Sequence, residues 1–359
     1  MGSRSRAYVT GSLIAIAAVA CSGTSPRDTS TGPASPTARS PAPTSTTHAL
    51  EPTLGLPLFV DGRIVTVTNG RQSVVARWPS PKAAYQPPMA ARHGFVGLGY
   101  GRRGIVIWYV TRRDARRLAG PVAQSFGVSA GGTRISFSRS DLRKPSGPSR
   151  LTLLGGQHFN HTVATKRLSD VRARGGPFVG RRVLLELGDA QPIVAVWDPR
   201  TGQVTRLPRW SDAGPTDPVA HQVVLSFGDS GCWSAGAWHR SHPLLAFSGD
   251  CSVRWKTYSP SGAQLAGIDG VIDNGLVGAH SNRLVVLDAR GGGVAFRSRQ
   301  LPGAFQAEWE DRSHILVLAR QGQDVVVYRC SVDSRDCRRV WTVDGSGDRY
   351  ATWLVPYPP

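Results

Sequence analysis

The chain has 359 residues, with 43 Lys and Arg against 24 Asp and Glu for a net charge of +19, and it holds 41 Gly, 26 Pro and only 2 Met. Its apolar residues come in short bursts rather than long periodic stretches, which excludes a helical bundle and points to an all-β fold. No run reaches the roughly 20 apolar residues of a spanning helix, which excludes a polytopic helical membrane protein.

The N-terminus comes first in chain order. Arg4 and Arg6 form a short positive region, and residues 13–20 (LIAIAAVA) an apolar core that ends in the small residues Ala18, Val19 and Ala20, directly before Cys21. A short core with a small-residue exit is the pattern of a cleaved signal peptide rather than an anchor helix. A cysteine at the cleavage point resembles the lipobox of bacterial lipoproteins. That resemblance implies a lipid (palmitate) on Cys21 and a place on the outer, extracytoplasmic face of the cell membrane. Residues 22–52 are dense in Ser, Thr, Pro and Ala with no apolar periodicity. Such a stretch buries too little surface to offset the entropy of ordering and reads as a disordered spacer. The expected organisation is a signal peptide over 1–20, the lipidated cysteine and linker over 21–54, and one domain over 55–359.

Within that domain one theme recurs: a strand of about five residues, a turn rich in Gly, Asp, Pro or Ser, then another strand. Residues 64–68 lead through Asn69-Gly70 to 73–78, 105–110 lead to 115–119, and 134–138 lead to 151–154 and 162–168. Residues 183–187 lead to 193–197 and 203–207; 244–248, 284–288 and 315–319 open further sets. Taking Ile64, Phe95, Ile135, Val183, Leu244, Leu284 and Ile315 as equivalent gives steps of 31, 40, 48, 61, 40 and 31. A mean near 42 built from short strands predicts a β-propeller of seven four-stranded blades. Residues 142–149 and 211–220 read as insertions that stretch the period. Residues 58–60 and 350–356 are the strands expected to close the ring.

Three segments carry a resemblance to known propellers. Val194 to Gly202 (VAVWDPRTG) resembles the Trp-Asp end of a WD-repeat blade. Val128 to Phe137 (VSAGGTRISF) is similar to the repeat element of TolB-type propellers, with Gly131 at the usual Asp position. Glu308 to Val317 resembles a blade of exported bacterial propeller proteins. The resemblance implies the fold, not an activity.

Beyond Cys21 there are four cysteines, an even number in an exported chain, which suggests two disulfides. A bridge between Cys330 and Cys337 would staple one hairpin, and Cys232 would then pair with Cys251. A zinc site is the alternative, but the chain has no C-x-x-C spacing. Gly228-Asp229-Ser230-Gly231 reads as a turn before a disulfide rather than a protease nucleophile loop. His158 with His161, and His239 with His242, read as loop histidines. Residues 346–353 approach the Asp-box of sialidases, itself a turn device, and Gly291 to Gly293 form a hairpin turn. Trp108, Trp197, Trp255 and Trp341 read as packing residues, whereas Trp210, Trp233, Trp238 and Trp309 lie nearer loops and could face a ligand.

No catalytic, cofactor-binding or metal residue is nominated, and no cofactor is expected. Arg accounts for 39 of the 43 basic residues but is scattered, as on solvated strand edges and turns. A surface of that charge attracts anionic partners; nucleic acid is not expected for an exported protein. The expected function is a membrane-tethered, monomeric binding or scaffold propeller for a protein or cell-wall glycan. The alternative is a propeller-type glycan or lactone hydrolase with its site in the central channel.

Overall fold

Short two-residue turns set the local architecture. Asp61-Gly62 and Asn69-Gly70 both adopt positive φ (45° and 76°, 48° and 69°), the backbone of a tight hairpin turn whose twist matches that of the strands it joins. The computed structural model describes residues 53–80, 86–102, 104–120, 125–140, 147–169, 172–188, 192–217, 221–227, 232–239, 242–248, 251–270, 272–273, 276–277, 282–345 and 352–357. These form seven four-stranded antiparallel sheets, the blades of a propeller; a two-stranded ladder and one 3-10 turn, Ala130–Gly132, complete the described elements.

Blade 1 is built from both ends of the domain: Thr352–Leu354, Leu58–Val60, Arg63–Thr68 and Arg71–Arg77, from the centre outward. Blade 2 comprises Met89–Ala91, Gly94–Gly101, Gly104–Val110 and Ala115–Ala119. Blade 3 comprises Phe126–Val128, Arg134–Ser140, Ser149–Gly155 and His161–Leu168. Blade 4 is Ala173–Val179, Arg182–Leu187, Ile193–Trp197 and Val204–Leu207, and blade 5 is Asp212–Asp217, Gln222–Phe227, Cys232–His239 and His242–Ser248. Blade 6 is Val253–Tyr258, Gln264–Asp269, Arg283–Asp288 and Val294–Gln300, and blade 7 is Ala304–Trp309, His314–Gln321, Asp324–Ser331 and Asp336–Val343.

Middle strands such as Leu316 to Ala319 are buried on both faces because each blade is sandwiched between two others. Among the described residues the buried apolar side chains fall into seven clusters, one per seam between neighbouring blades. One cluster joins blade 7 (Leu316, Val325, Val327) to blade 1 (Leu58, Val65, Leu354), so the ring is closed. Each such side chain contributes roughly 1.5–3 kcal/mol of burial.

The seam between blades 3 and 4 shows how polar backbone is handled near the centre. The register of the first two strands of blade 4 shifts between Gly175 and Phe178, a bulge at Gly176-Pro177 that removes two residues from regular pairing. The carbonyls there are satisfied by serines of blade 3: Ser125 donates to Gly175 at 2.5 Å and Ser136 to Gly176 at 2.9 Å. A Cβ on Gly127 would come within 2.2 Å of the Gly176 carbonyl oxygen, so this approach requires glycine.

Three expectations from the sequence need correction. Ile64 lies in the third strand of blade 1, Leu244 in the fourth strand of blade 5 and Leu284 in the third strand of blade 6, not in second strands. The true second-strand positions are Phe59, Phe95, Ile135, Val183, Val223, Leu265 and Ile315, with steps of 36, 40, 48, 40, 42 and 50. The phase slipped because the fourth strand of blade 5 (HPLLAFS) is as apolar as a second strand. In blade 6 a short ladder, Ile272–Asp273 with Leu276–Val277, separates the second and third strands. Residues 211–220 are not an insertion, because Asp212–Asp217 is the inner strand of blade 5, with a bulge at Gly214-Pro215. Finally, Trp233, Trp238 and Trp309 lie in strands.

Candidate functional site

Two groups of charged side chains converge through the fold, and neither is contiguous in sequence. The first lies on the face formed by the strand-to-strand turns of blades 3, 4 and 5. Arg134 opens the second strand of blade 3, Arg181 lies in the first turn of blade 4, Arg182 opens its second strand, and Asp198 to Arg200 form its third-strand turn. His221 in the first turn of blade 5 and Trp238 complete a groove of about 1010 Å³, with Leu153, Val163, Val179 and Pro199 as its apolar wall. Asp198 is the one acid among the lining residues. It is committed to the fold, accepting from the N–H groups of Arg200 (3.0 Å) and Thr201 (3.3 Å) and facing Arg182 at 3.5 Å. Burial pushes its carboxyl up, but these donors outweigh burial and leave its pKa lowered. Arg134, Arg181 and Arg200 therefore line the groove as exposed residues, and among the described lining residues no further acid remains to pair with them.

The second group lies in the seams beside the inner strands, which sit side by side around the centre. Arg174 and Glu186 face each other across the first two strands of blade 4, Nη1 to Oε2 at 3.4 Å. Glu186 also shares a hydrogen bond with Asp212, the first residue of blade 5; burial and this second carboxylate push its pKa up to about 8. Between blades 6 and 7, burial and then Arg254 push Lys256 down to about 8, opposed by Glu308. Burial in turn pushes Glu308 up to about 7, opposed by Gln306, Thr257 and Lys256. The Gln306 amide donates to Glu308 Oε1 at 3.4 Å. Sequence reading missed this network and left Asp212 inside an expected insertion. The available signal was a lone charge inside an apolar strand: Glu186 in RVLLEL, Lys256 in VRWKTY and Glu308 in AFQAEW.

Of the residues singled out from sequence, Cys21 lies outside the described residues, as do Gly228 to Gly231 and residues 346–351. The structure pairs Cys232 with Cys251 and Cys330 with Cys337. The second pair sits in register across the last hairpin of blade 7. His158 rests against Tyr109, whose hydroxyl lies 3.2 Å from its Nδ1, and packs near His93. His239 and His242 oppose each other at a hairpin of blade 5. Among the described residues no three His, Cys, Asp or Glu side chains gather in a metal-binding group. Trp197, Trp255, Trp210 and Trp309 are buried in the seams, as is most of Trp238, which still contributes to the groove.

No protein-family profile matches the chain, and no curated protein matches it in sequence. Solved structures do. An acylaminoacyl peptidase superposes with a TM-score of 0.53 at 11% identity, covering 79% of this chain and 48% of its own. An uncharacterised protein of Listeria monocytogenes gives 0.50 at 8% identity, with 78% and 96% covered. TolB from Acinetobacter baumannii gives 0.47 at 12% identity, with 84% and 66% covered. The chain thus spans about half the length of the peptidase and just under two thirds of TolB. At such identities the likeness concerns the fold alone, an all-β seven-bladed propeller.

Proposed function

We propose that this chain is an extracytoplasmic lipoprotein, tethered to the outer face of the cell membrane through Cys21, whose propeller binds a protein or cell-wall glycan without transforming it. The observation that supports this reading is the arginine groove. It offers arginines beyond the one that its single acid faces, together with an apolar wall, and that acid is tied into a turn, so the groove is equipped to hold an anionic ligand. A Cys21→Ser form is expected to leave the membrane fraction and appear in the medium or periplasm. Retention of that form in the membrane would exclude the lipid tether.

A second reading, a propeller hydrolase of glycans or lactones, is favoured by one observation. Glu186 and Asp212 are two hydrogen-bonded carboxyl groups, and the raised pKa of Glu186 keeps it protonated at neutral pH, as a general acid needs. Glu186→Gln separates the two readings. If the pair is structural, its effect is confined to stability. The folded chain holds the Glu186 proton up to about pH 8, whereas the unfolded chain releases it near pH 4.5. Between those values the folded state binds more protons, so stability falls as pH rises, by an amount on the order of 2–4 kcal/mol for this group. The glutamine variant is expected to flatten the decline in melting temperature between pH 5 and 9 and to alter no turnover. A variant that abolishes hydrolysis of a glycan or lactone cleaved by the native chain would establish the second reading instead.

A further inference from the structure

The groove of blades 3 to 5 has a chemistry more specific than basic. We infer that it is a binding site for a phosphorylated saccharide, a sugar unit bearing at least two phosphate charges. This rests on the reading of the chain as a binding propeller and names the ligand class of that same face.

Four arginines and no lysine line the groove, and Asp198 neutralises only Arg182 within it. Arg134, Arg181 and Arg200 come from two different blades, so their convergence is made by the fold and not by a basic run in the sequence. A guanidinium is a planar fork of donors that pairs two-to-two with phosphate oxygens. Three unmatched forks around one groove call for a ligand that carries several negative charges within a few ångströms. A carboxylated glycan offers one per sugar at best, while a phosphate monoester alone offers nearly two.

The apolar half of the lining argues against a bare inorganic polyanion. Leu153, Val163, Val179, Pro199 and Trp238 form a wall beside the cations, suited to the C–H face of a sugar ring. A volume of about 1010 Å³ accommodates a saccharide of two or three units.

A second, smaller basic depression supplies an internal control. Arg77, Arg112 and Arg113 line a hollow of about 370 Å³ against Val74, Val75 and Ala115, between blades 1 and 2. Replacing these three by Ala removes the same charge from the same molecule at a different place.

The test is calorimetric titration of the full chain in detergent micelles with four probes: fructose 1,6-bisphosphate, inorganic pyrophosphate, trigalacturonate and maltotriose. The bisphosphate is expected to bind more tightly than the other three. The triple variant Arg134→Ala, Arg181→Ala, Arg200→Ala is expected to weaken it at least 30-fold, and the variant of Arg77, Arg112 and Arg113 less than threefold. All substituted side chains are exposed, and an unshifted melting curve confirms that each variant is folded. Equal losses in the two variants would reduce the effect to net charge and overturn the site. Tighter binding of trigalacturonate or pyrophosphate would overturn the phosphosaccharide while leaving a binding propeller in place. Binding of none of the four would overturn the groove as a saccharide site, whereas failure of the binding-module reading would show independently as turnover abolished by Glu186→Gln.

Discussion

Deleting residues 352–359 is expected to lower the melting temperature of the chain by about 10–20 °C. The three-residue strand Thr352–Leu354 is the innermost strand of blade 1, pairing Leu58 with Leu354, Phe59 with Trp353 and Val60 with Thr352. Leu354 and Val355 are completely buried, and each contributes roughly 1.5–3 kcal/mol. The strand is also held from the other side. The Gln306 amide of blade 7 donates to the Leu354 carbonyl at 3.0 Å and accepts from its N–H at 2.8 Å, in the manner of a neighbouring strand. Val355 donates to Pro57 and Pro356 accepts from Ala90, so the segment touches blades 7, 1 and 2 at once. Its removal exposes a strand edge at the centre and takes from buried Gln306 both of its bonds to Leu354, leaving its 3.4 Å contact with Glu308, at about 1–3 kcal/mol more. A loss of several kcal/mol in a domain of this size corresponds to the stated shift. Calorimetry of the native and truncated chains decides it, and curves within 2–3 °C of each other would show that the ring does not depend on this strand.

Glu310→Ala is expected to cost about 3–5 kcal/mol, more than any surface charge substitution on the same chain. Glu310 is almost fully enclosed, with its side chain 7% exposed, and accepts from Arg329 Nε at 2.6 Å and Nη2 at 2.5 Å. It also accepts from the N–H of Gly55, and Arg329 in turn donates to the carbonyl of Thr53. A single ion pair thus fastens the segment that enters blade 1 onto blade 7. Leu54, assigned to the linker from sequence, is buried beside it and donates to Val67 at 3.0 Å. Truncating Glu310 strands an enclosed guanidinium, the costly way to break such a pair. Arg329→Ala is expected to cost a similar amount, because Glu310 then keeps the Gly55 donor just as Arg329 keeps the Thr53 carbonyl in the other variant. The double variant should cost clearly less than the sum of the two, since both remove one interaction. Strict additivity in denaturant titrations would show that the two side chains act independently. Because the pair is sheltered, the cost should change little between 0.05 and 0.5 M salt.

Much of the propeller was legible from local rules. Short apolar bursts divided by Asp-Gly and Asn-Gly turns give strand-turn-strand units, and seven sets near 42 residues fill the domain. Both closing strands were identified by their place next to the ends. The slips in phase came where local pattern carries no information about strand rank. The fourth strand His242–Ser248 is as apolar as a second strand, and the inner strand Asp212–Asp217 (DAGPTD) has no apolar face at all. In blade 4 the inner strand tolerates its Gly-Pro bulge because Ser125 and Ser136 supply hydrogen bonds to the Gly175 and Gly176 carbonyls, and no propensity anticipates that.

The sequence by itself determined the strand-and-turn composition, the repeat and the even set of cysteines behind Cys21, because each depends on residues close together in the chain. Only the tertiary structure decided which charges meet. Arg134, Arg181 and Arg200 become one groove, and Glu186 and Asp212 one carboxyl pair, because neighbouring blades bring their turns and inner strands together across tens of residues. The physical reason is that turn and strand preferences act over a few residues, whereas charge proximity is set by the circular stacking of whole blades.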